Sequence, residues 1–269
     1  MTYANLLEEV KARKPLVHHI TNYVTVNDCA NVTLSIGASP VMADCENEAA
    51  EIAGIASSLV LNMGTLNART IPSMVAAGKA ANAKGIPVVF DPVGAGASKL
   101  RNETAMRIIS EVKLSVIRGN ISEIKFVSGL QSATKGVDAS DADRADRESG
   151  AKLAKELAGK TGCAVVISGE IDVVSDGSKT ALIENGHPML GNLTGTGCMC
   201  TSLIGSFCGA GALPFSASVA AMACMGICGE LAYEKAGQLG SGSFHEALRD
   251  AVSKIERQTF ERLAKIREQ

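Results

Sequence analysis

An α/β fold, with a mostly parallel central sheet flanked by helices, is what this sequence predicts, and three observations predict it. Short runs rich in Val, Ile and Leu alternate with helical stretches, the signature of strand–helix–strand units. The runs are apolar almost throughout, as in strands buried on both faces. Several end in a polar residue, Asn62, Asp91, Asn120 and Ser168 among them, at the edge where open α/β sheets bind ligands.

The elements follow in order. Met1–Val10 reads as an amphipathic helix whose acidic residues, Glu8 and Glu9, rule out a secretory signal. Ser58–Gly64 is a buried strand, and a helical stretch from Pro72 to Lys84 closes on Gly85. Ile86–Pro92, Leu114–Asn120 and Cys163–Glu170 are the next strands. The charged segment Asp138–Glu148 leads into a surface helix through Leu157. Asp172–Ser178 and Thr180–Ile183 form a hairpin around Asp176-Gly177. Pro188–Gly229 holds no charged residue, but its glycines and Pro214 break it. It reads as a ligand loop and two buried helices, not a membrane span. Gly240–Ser243 marks a helix start, and Ser243 to Arg267 reads as one amphipathic stretch opened by a Ser243…Glu246 capping box. With no repeat and no low-complexity linker, residues 1–269 are expected to form a single domain.

Composition narrows the function. The chain is 46% hydrophobic but 3% aromatic, without tryptophan, and its net charge is −2. A nucleic-acid surface needs a basic patch and stacking platforms, and neither is present. Eight cysteines show no paired C-x-x-C spacing, so zinc and a disulfide framework are disfavoured. Free thiols as small hydrophobes in a reducing cytoplasm are the expectation.

The residues that carry chemistry centre on Leu193-Thr194-Gly195-Thr196-Gly197-Cys198. A glycine turn at a helix N-terminus offers unpaired N–H groups to an anion, most often a phosphate. Asp91 leaves its strand into Pro92-Val93-Gly94-Ala95-Gly96, which suits a metal–nucleotide complex or an ordinary strand-ending turn. Asn120-x-x-Glu123 is a capping pair by spacing and a possible metal element by chemistry, and one glutamate can serve both. A P-loop and a G-x-G-x-x-G turn after a strand are absent, so a nucleotide must be gripped by the 195–198 turn. One of His18 and His19 reads as a buried, hydrogen-bonded side chain, with a catalytic role for either as the alternative. Cys198-Met199-Cys200 also admits a redox reading, which strained geometry opposes.

Taken together, several blocks closely resemble the hydroxyethylthiazole kinases, a branch of the ribokinase-like small-molecule kinases. They are Pro15–Asn22, Gly37–Ala43, Leu61–Leu66, Asp91–Gly96, Ile117–Asn120 with Glu123, Ile167–Glu170 and Thr194–Cys198. They run in the family's order along essentially the whole chain. The resemblance implies a ribokinase-like fold, ATP as co-substrate and Mg2+. The implied reaction is phosphorylation of the primary hydroxyl of 4-methyl-5-(2-hydroxyethyl)thiazole in thiamine biosynthesis or salvage. It assigns substrate contacts to Asn22, Met42 and Gly195, and ATP contacts to Arg118 and Ser168. Asp91, Asn120 and Glu123 take the metal, and Gly195, Thr196, Gly197 and Cys198 the transferring group. Cys198 stands where most ribokinase-like enzymes carry an aspartate. A homotrimer with sites between subunits is also implied. The same fold could instead carry a hydroxymethylpyrimidine or pyridoxal kinase, or a non-catalytic nucleotide-binding regulator.

Overall fold

The computed structural model describes residues 2–129 and 147–269. Among these residues nine strands form one sheet in the order β2-β1-β3-β4-β5-β6-β7-β8-β9. Six strands are parallel: β1 (Leu16–Ile20), β2 (Ser39–Met42), β3 (Ser58–Asn62), β4 (Val88–Asp91), β5 (Val116–Asn120) and β6 (Ala164–Ser168). The last three, β7 (Asp172–Ser175), β8 (Thr180–Ile183) and β9 (Ile266–Glu268), continue the sheet antiparallel. The expected strands, the hairpin and the helix ending at Gly85 are all present.

Helices cover both faces. One face carries α1 (Asn5–Arg13), α2 (Val26–Ile36), α8 (Thr196–Gly209), α9 (Pro214–Ala236) and α10 (Ser241–Lys254). The other carries α3 (Glu46–Ile55), α4 (Thr70–Lys84), α5 (Lys99–Glu111), α6 (Ile121–Val127) and α7 (Arg147–Thr161). The alternation along each strand divides the two cores: Val60 and Val89 face the first, while Leu59, Leu61 and Phe90 face the second. The uncharged segment forms the expected pair of helices, α8 and α9, meeting near Pro214. Although α9 is long and apolar enough to cross a bilayer, its most apolar window is 83% buried in the fold. The charged segment 138–148 lies outside the described residues except for its last two positions, where α7 begins.

Three features differ from the sequence expectation. The segments around His18-His19 and Pro40 are strands, β1 and β2, that periodicity had not indicated. Two histidines interrupt the apolar run of β1, and β2 is a four-residue edge strand, where a proline is tolerated. Both histidines are buried and held neutral by burial, which pushes His19 down to about 4. His18 Nε2 lies 2.7 Å from the Ala43 carbonyl, and His19 Nε2 lies 3.2 Å from Ser202 Oγ. The C-terminal stretch is not one helix. After α10 the chain turns at Ile255, forms α11 (Arg257–Leu263), and then adds β9 to the sheet edge. The Ser243…Glu246 capping box is not formed, because α10 starts three residues earlier with Gly240 at its cap. The apolar face read from the sequence survives, with Phe244, Leu248, Val252 and Ile255 buried.

Candidate active site

The strand order reverses between β1 and β3, since β2 lies on one side of β1 and the rest of the sheet on the other. In open α/β sheets a crevice forms at such a switch point, beyond the carboxyl ends of the strands. Parallel registers pair Asn62 with Asp91 and Asn120 with Ser168, so these residues stand along one edge. Asn22 follows β1 at the switch itself.

The polar side chains there form a connected network. Asn22 Nδ2 donates to Asn62 Oδ1 at 2.9 Å, and Asn62 Nδ2 donates to Asp91 Oδ2 at 2.9 Å. Both amides also point at Cys198, each Nδ2 lying 3.3 Å from Sγ. Thr201 Oγ1 donates to Asp91 Oδ2 at 2.7 Å. Asn22 Oδ1 accepts from the Thr25 amide and hydroxyl, both at 3.1 Å. The network is buried, so each satisfied contact makes its geometry more definite.

The turn before α8 closes over this network. Gly195, the N-cap, has φ +91°, and Thr196–Cys198 form the first helical turn. Their N–H groups have no carbonyl one turn back to receive them. Gly197 permits a close approach: a Cβ there would lie 2.6 Å from Arg118 Nη1. The Arg118 guanidinium therefore lies directly under the turn. Its Nη2 donates to Ser168 Oγ at 2.9 Å, its Nη1 lies 3.7 Å from Asp91 Oδ2, and its buried Nε has no hydrogen-bond partner among the described residues. A cavity of about 610 Å³ opens beside it, lined by Arg118, Ser168, Asp172, Thr196, Gly197 and Met225 among others. That volume suits a nucleotide-sized ligand.

Electrostatics follow from burial. Burial opposes the charge on Arg118 most strongly, but Asp91, Glu123 and the Cys198 and Cys200 thiols together outweigh it and raise the guanidinium pKa. Burial pushes the Asp91 carboxyl up, while Arg118, Thr201 and Asn62 pull it back. Glu123 is pushed up to about 7, by burial first and by Asp91 second. Cys198 is raised by burial and by the Asp91 charge, so at neutral pH it is a thiol and a poor base.

The Asn120–Glu123 pair forms a complete capping box. Asn120 Oδ1 accepts from the Glu123 amide, and Glu123 Oε2 accepts from the Asn120 amide at 2.8 Å. Glu123 Oε1 accepts from Gly94 N–H, also at 2.8 Å, tying α6 to the loop after β4. The capping role is thus real, and the two buried carboxylates of Glu123 and Asp91 feel each other's charge.

The expected residues divide into a cluster and an outlier. Asn22, Asp91, Arg118, Ser168 and the 195–198 turn are brought together, with Asn120 and Glu123 alongside. Met42 stands apart, half-buried at the end of β2, on the sheet edge beyond β1. Asn62 and Thr201 had no assigned role, yet they connect the cluster. Asn62 was visible as a polar strand end. Thr201 had one available signal: it follows Cys198 by three residues, on the same helical face.

A sequence model of the Hydroxyethylthiazole kinase family matches residues 7–258. Hydroxyethylthiazole kinase from Clostridium beijerinckii is 58% identical over 265 residues, covering 98% of this chain and 96% of the relative. The enzyme of that name from Ruminiclostridium cellulolyticum is also 58% identical, over 263 residues, with the same coverage. A solved hydroxyethylthiazole kinase from Pyrococcus horikoshii OT3 superposes with TM-score 0.90 at 39% identity, covering 99% of this chain and 98% of that one. A pyridoxal kinase from Bacillus subtilis, solved with ADP, has TM-score 0.59 at 17% identity and covers 80% of this chain and 91% of its own, sharing the fold. The buried switch-point network and the full-length likeness point the same way: the chain belongs to the hydroxyethylthiazole kinase family.

Proposed function

We propose that this chain transfers the γ-phosphoryl group of ATP to the primary hydroxyl of 4-methyl-5-(2-hydroxyethyl)thiazole, in thiamine biosynthesis or salvage. The observation that carries the reading is the Asn22–Asn62–Asp91–Cys198 network lying against the Arg118-backed turn. On this reading the acceptor alcohol and the anion site lie back to back. Phosphoryl transfer needs mainly such positioning and neutralisation of charge.

In this reading Asn22 and Gly195 orient the thiazole alcohol, and Arg118 and Ser168 hold the triphosphate. The N–H groups of Gly195, Thr196, Gly197 and Cys198 stabilise charge on the transferring group. Asp91, Asn120 and Glu123 would hold one magnesium ion. The fit rests on Asp91 Oδ1, a buried carboxylate oxygen without a hydrogen-bond partner among the described residues. Burial raises the pKa of both Asp91 and Glu123, and a bound cation would favour their charged forms. Among the described residues no three His, Cys, Asp or Glu side chains converge to enclose an ion. Magnesium commonly keeps waters and binds through one or two carboxylates with phosphates, so water-mediated holding suits this set. The ion would supply charge neutralisation on the phosphates.

Residues 1–269 act as one domain, and the chain works as a homotrimer. Met42 on the edge strand then serves a neighbour's site, and the exposed Tyr23 and Val24 beside Asn22 lie at the contact. Eight free thiols, six of them buried, suit the cytoplasm. The deciding assay is coupled ADP release with the thiazole alcohol, hydroxymethylpyrimidine and pyridoxal offered in turn. Efficient turnover of the thiazole alcohol alone is expected. Preference for either other alcohol overturns the substrate assignment, and ATP binding without ADP release on any of them favours a regulator.

Two variants test the assigned roles. Cys198→Ala should retain appreciable activity, because the half-buried thiol is protonated and contributes little as a base. Cys198→Asp should match or exceed the parent, since the Asn22 and Asn62 amides already aim two donors at this position. Complete loss in both, with substrates still bound, would give the thiol a chemical role. Glu123→Gln should lower turnover and raise the magnesium requirement. It should also cost about 1–3 kcal/mol of stability, because a single amide oxygen cannot accept from both Gly94 and Asn120. Thermal melts and a magnesium titration check both halves.

A further inference from the structure

Arg101, on the first turns of α5, takes no part in the roles assigned above. Its guanidinium donates to three backbone carbonyls drawn from two loops. Nη1 reaches Met63 O and Val93 O, each at 2.6 Å, and Nη2 reaches Gly64 O at 2.7 Å. Met63 and Gly64 leave β3; Val93 leaves β4. A Cβ on Gly94 would lie 3.1 Å from Arg101 Cδ, so the stem is also packed in place.

The β3 loop lies against the two amides that meet Cys198 Sγ. Gly64 N–H donates to Asn62 Oδ1 at 2.9 Å. The Gly64 backbone also lies so close to Asn22 that a Cβ there would sit 2.8 Å from Asn22 Nδ2. Any shift of Gly64 must therefore move Asn22 and Asn62, the two amides that meet Cys198 Sγ. The β4 loop is fixed at two further points, by Glu123 on Gly94 N–H and by Asn102 Oδ1 on Gly96 N–H at 2.7 Å. Met63 N–H and Asn62 Nδ2 tie the end of β3 to Asp91 at the end of β4, at 3.2 and 2.9 Å; beyond those two contacts, Arg101 joins the carbonyls of the β3 loop to the β4 loop.

We propose that Arg101 is a positioning residue for the phosphoryl transfer: its guanidinium fork sets the β3 loop against the β4 loop, and so holds Asn22, Asn62 and Cys198 in register around the acceptor alcohol. This rests on the reading that Asn22 and Cys198 flank that alcohol. A planar fork can bridge two carbonyls with one nitrogen and take a third with the other; a lysine ammonium is one point charge on a flexible stem and cannot reproduce the spacing. Arg118 and Ser168, on β5 and β6, are untouched by the fork, so the triphosphate end stays as it is.

The test combines kinetics with a readout of the pocket itself. In Arg101→Ala the KM for the thiazole alcohol should rise about tenfold and kcat should fall, while the KM for ATP stays within about twofold. Site-resolved alkylation of Cys198, followed by mass spectrometry, should become several-fold faster as the amides lose register. Millimolar guanidinium chloride, filling the vacated slot, should reverse both changes. Arg101→Lys keeps the stem and the charge, and should show the same kinetic split if the alanine variant fails to fold. Unchanged Cys198 alkylation and unchanged thiazole KM overturn the proposal, as does a rise in both KM values together. Faster alkylation with an unchanged thiazole KM upholds the positioning role and overturns the placement of the alcohol.

Discussion

Arg118→Ala is expected to lower kcat/KM by about a thousandfold and to weaken ATP binding far more than thiazole binding. The guanidinium is buried at the ends of β5 and β6, joined to Ser168 Oγ and facing Asp91 across 3.7 Å. Removing it does two things. The anion turn loses the cation beneath it, so the triphosphate end loses both charge and direction. Asp91 is left buried without its countercharge, a loss that typically costs about 3–5 kcal/mol. Part of that cost will be avoided if Asp91 takes up a proton. Separate titrations of ATP and the thiazole alcohol, with a thermal melt, check the prediction. Arg118→Lys should recover stability better than ATP affinity, because it restores charge without the fork. An unchanged ATP affinity in the alanine variant would remove Arg118 from the nucleotide site.

Gly195→Ala should be almost as damaging to activity while leaving most of the fold standing. At φ +91° an L-residue is strained by about 1–2 kcal/mol. The added Cβ would also lie 2.7 Å from Thr25 Cγ2. Thr25 cannot yield freely, since its amide and hydroxyl both donate to Asn22 Oδ1. The push is therefore transmitted to Asn22, and the turn moves relative to the alcohol and the phosphate at once. A fall in kcat/KM of about a hundredfold, with the KM of both substrates raised, is the expected result. The melting temperature should drop by only several degrees. Kinetics close to the parent's would show that the turn tolerates displacement and that its N–H groups do not grip the transferring group.

Much of this architecture could be read along the chain. The strands β3 to β6 are apolar runs of near-uniform character, and Gly85 and the Asp176-Gly177 turn punctuate them as local chemistry requires. Asp91, Asn120 and Ser168 stand out because a polar residue at the end of an apolar run has few reasons to be there. Other elements carried no local signal. The strand β1 hides two histidines inside the sheet, where burial keeps them neutral and one bonds to Ser202 on a distant helix. Its partner β2 is short and contains a proline. The C-terminal strand β9 exists because β8 offers it an edge, which no window around Ile266 can reveal.

The sequence by itself determined the class of fold, the glycine turn before α8 and the residue types available to the chemistry, because these rest on local pattern and spacing, and its blocks carried the resemblance to the family. Tertiary structure alone decided how those residues meet. The reversal of strand order between β1 and β3 opens the crevice and brings Asn22 to Asn62 from 40 positions away. The packing of α8 sets Cys198 between two amides and Thr201 against Asp91. The α5 helix carries Arg101 to three carbonyls of two loops. Hydrogen bonds of this kind depend on distances between elements remote in sequence, and those distances are fixed by the packing of the two cores against the sheet rather than by any local preference of the residues involved.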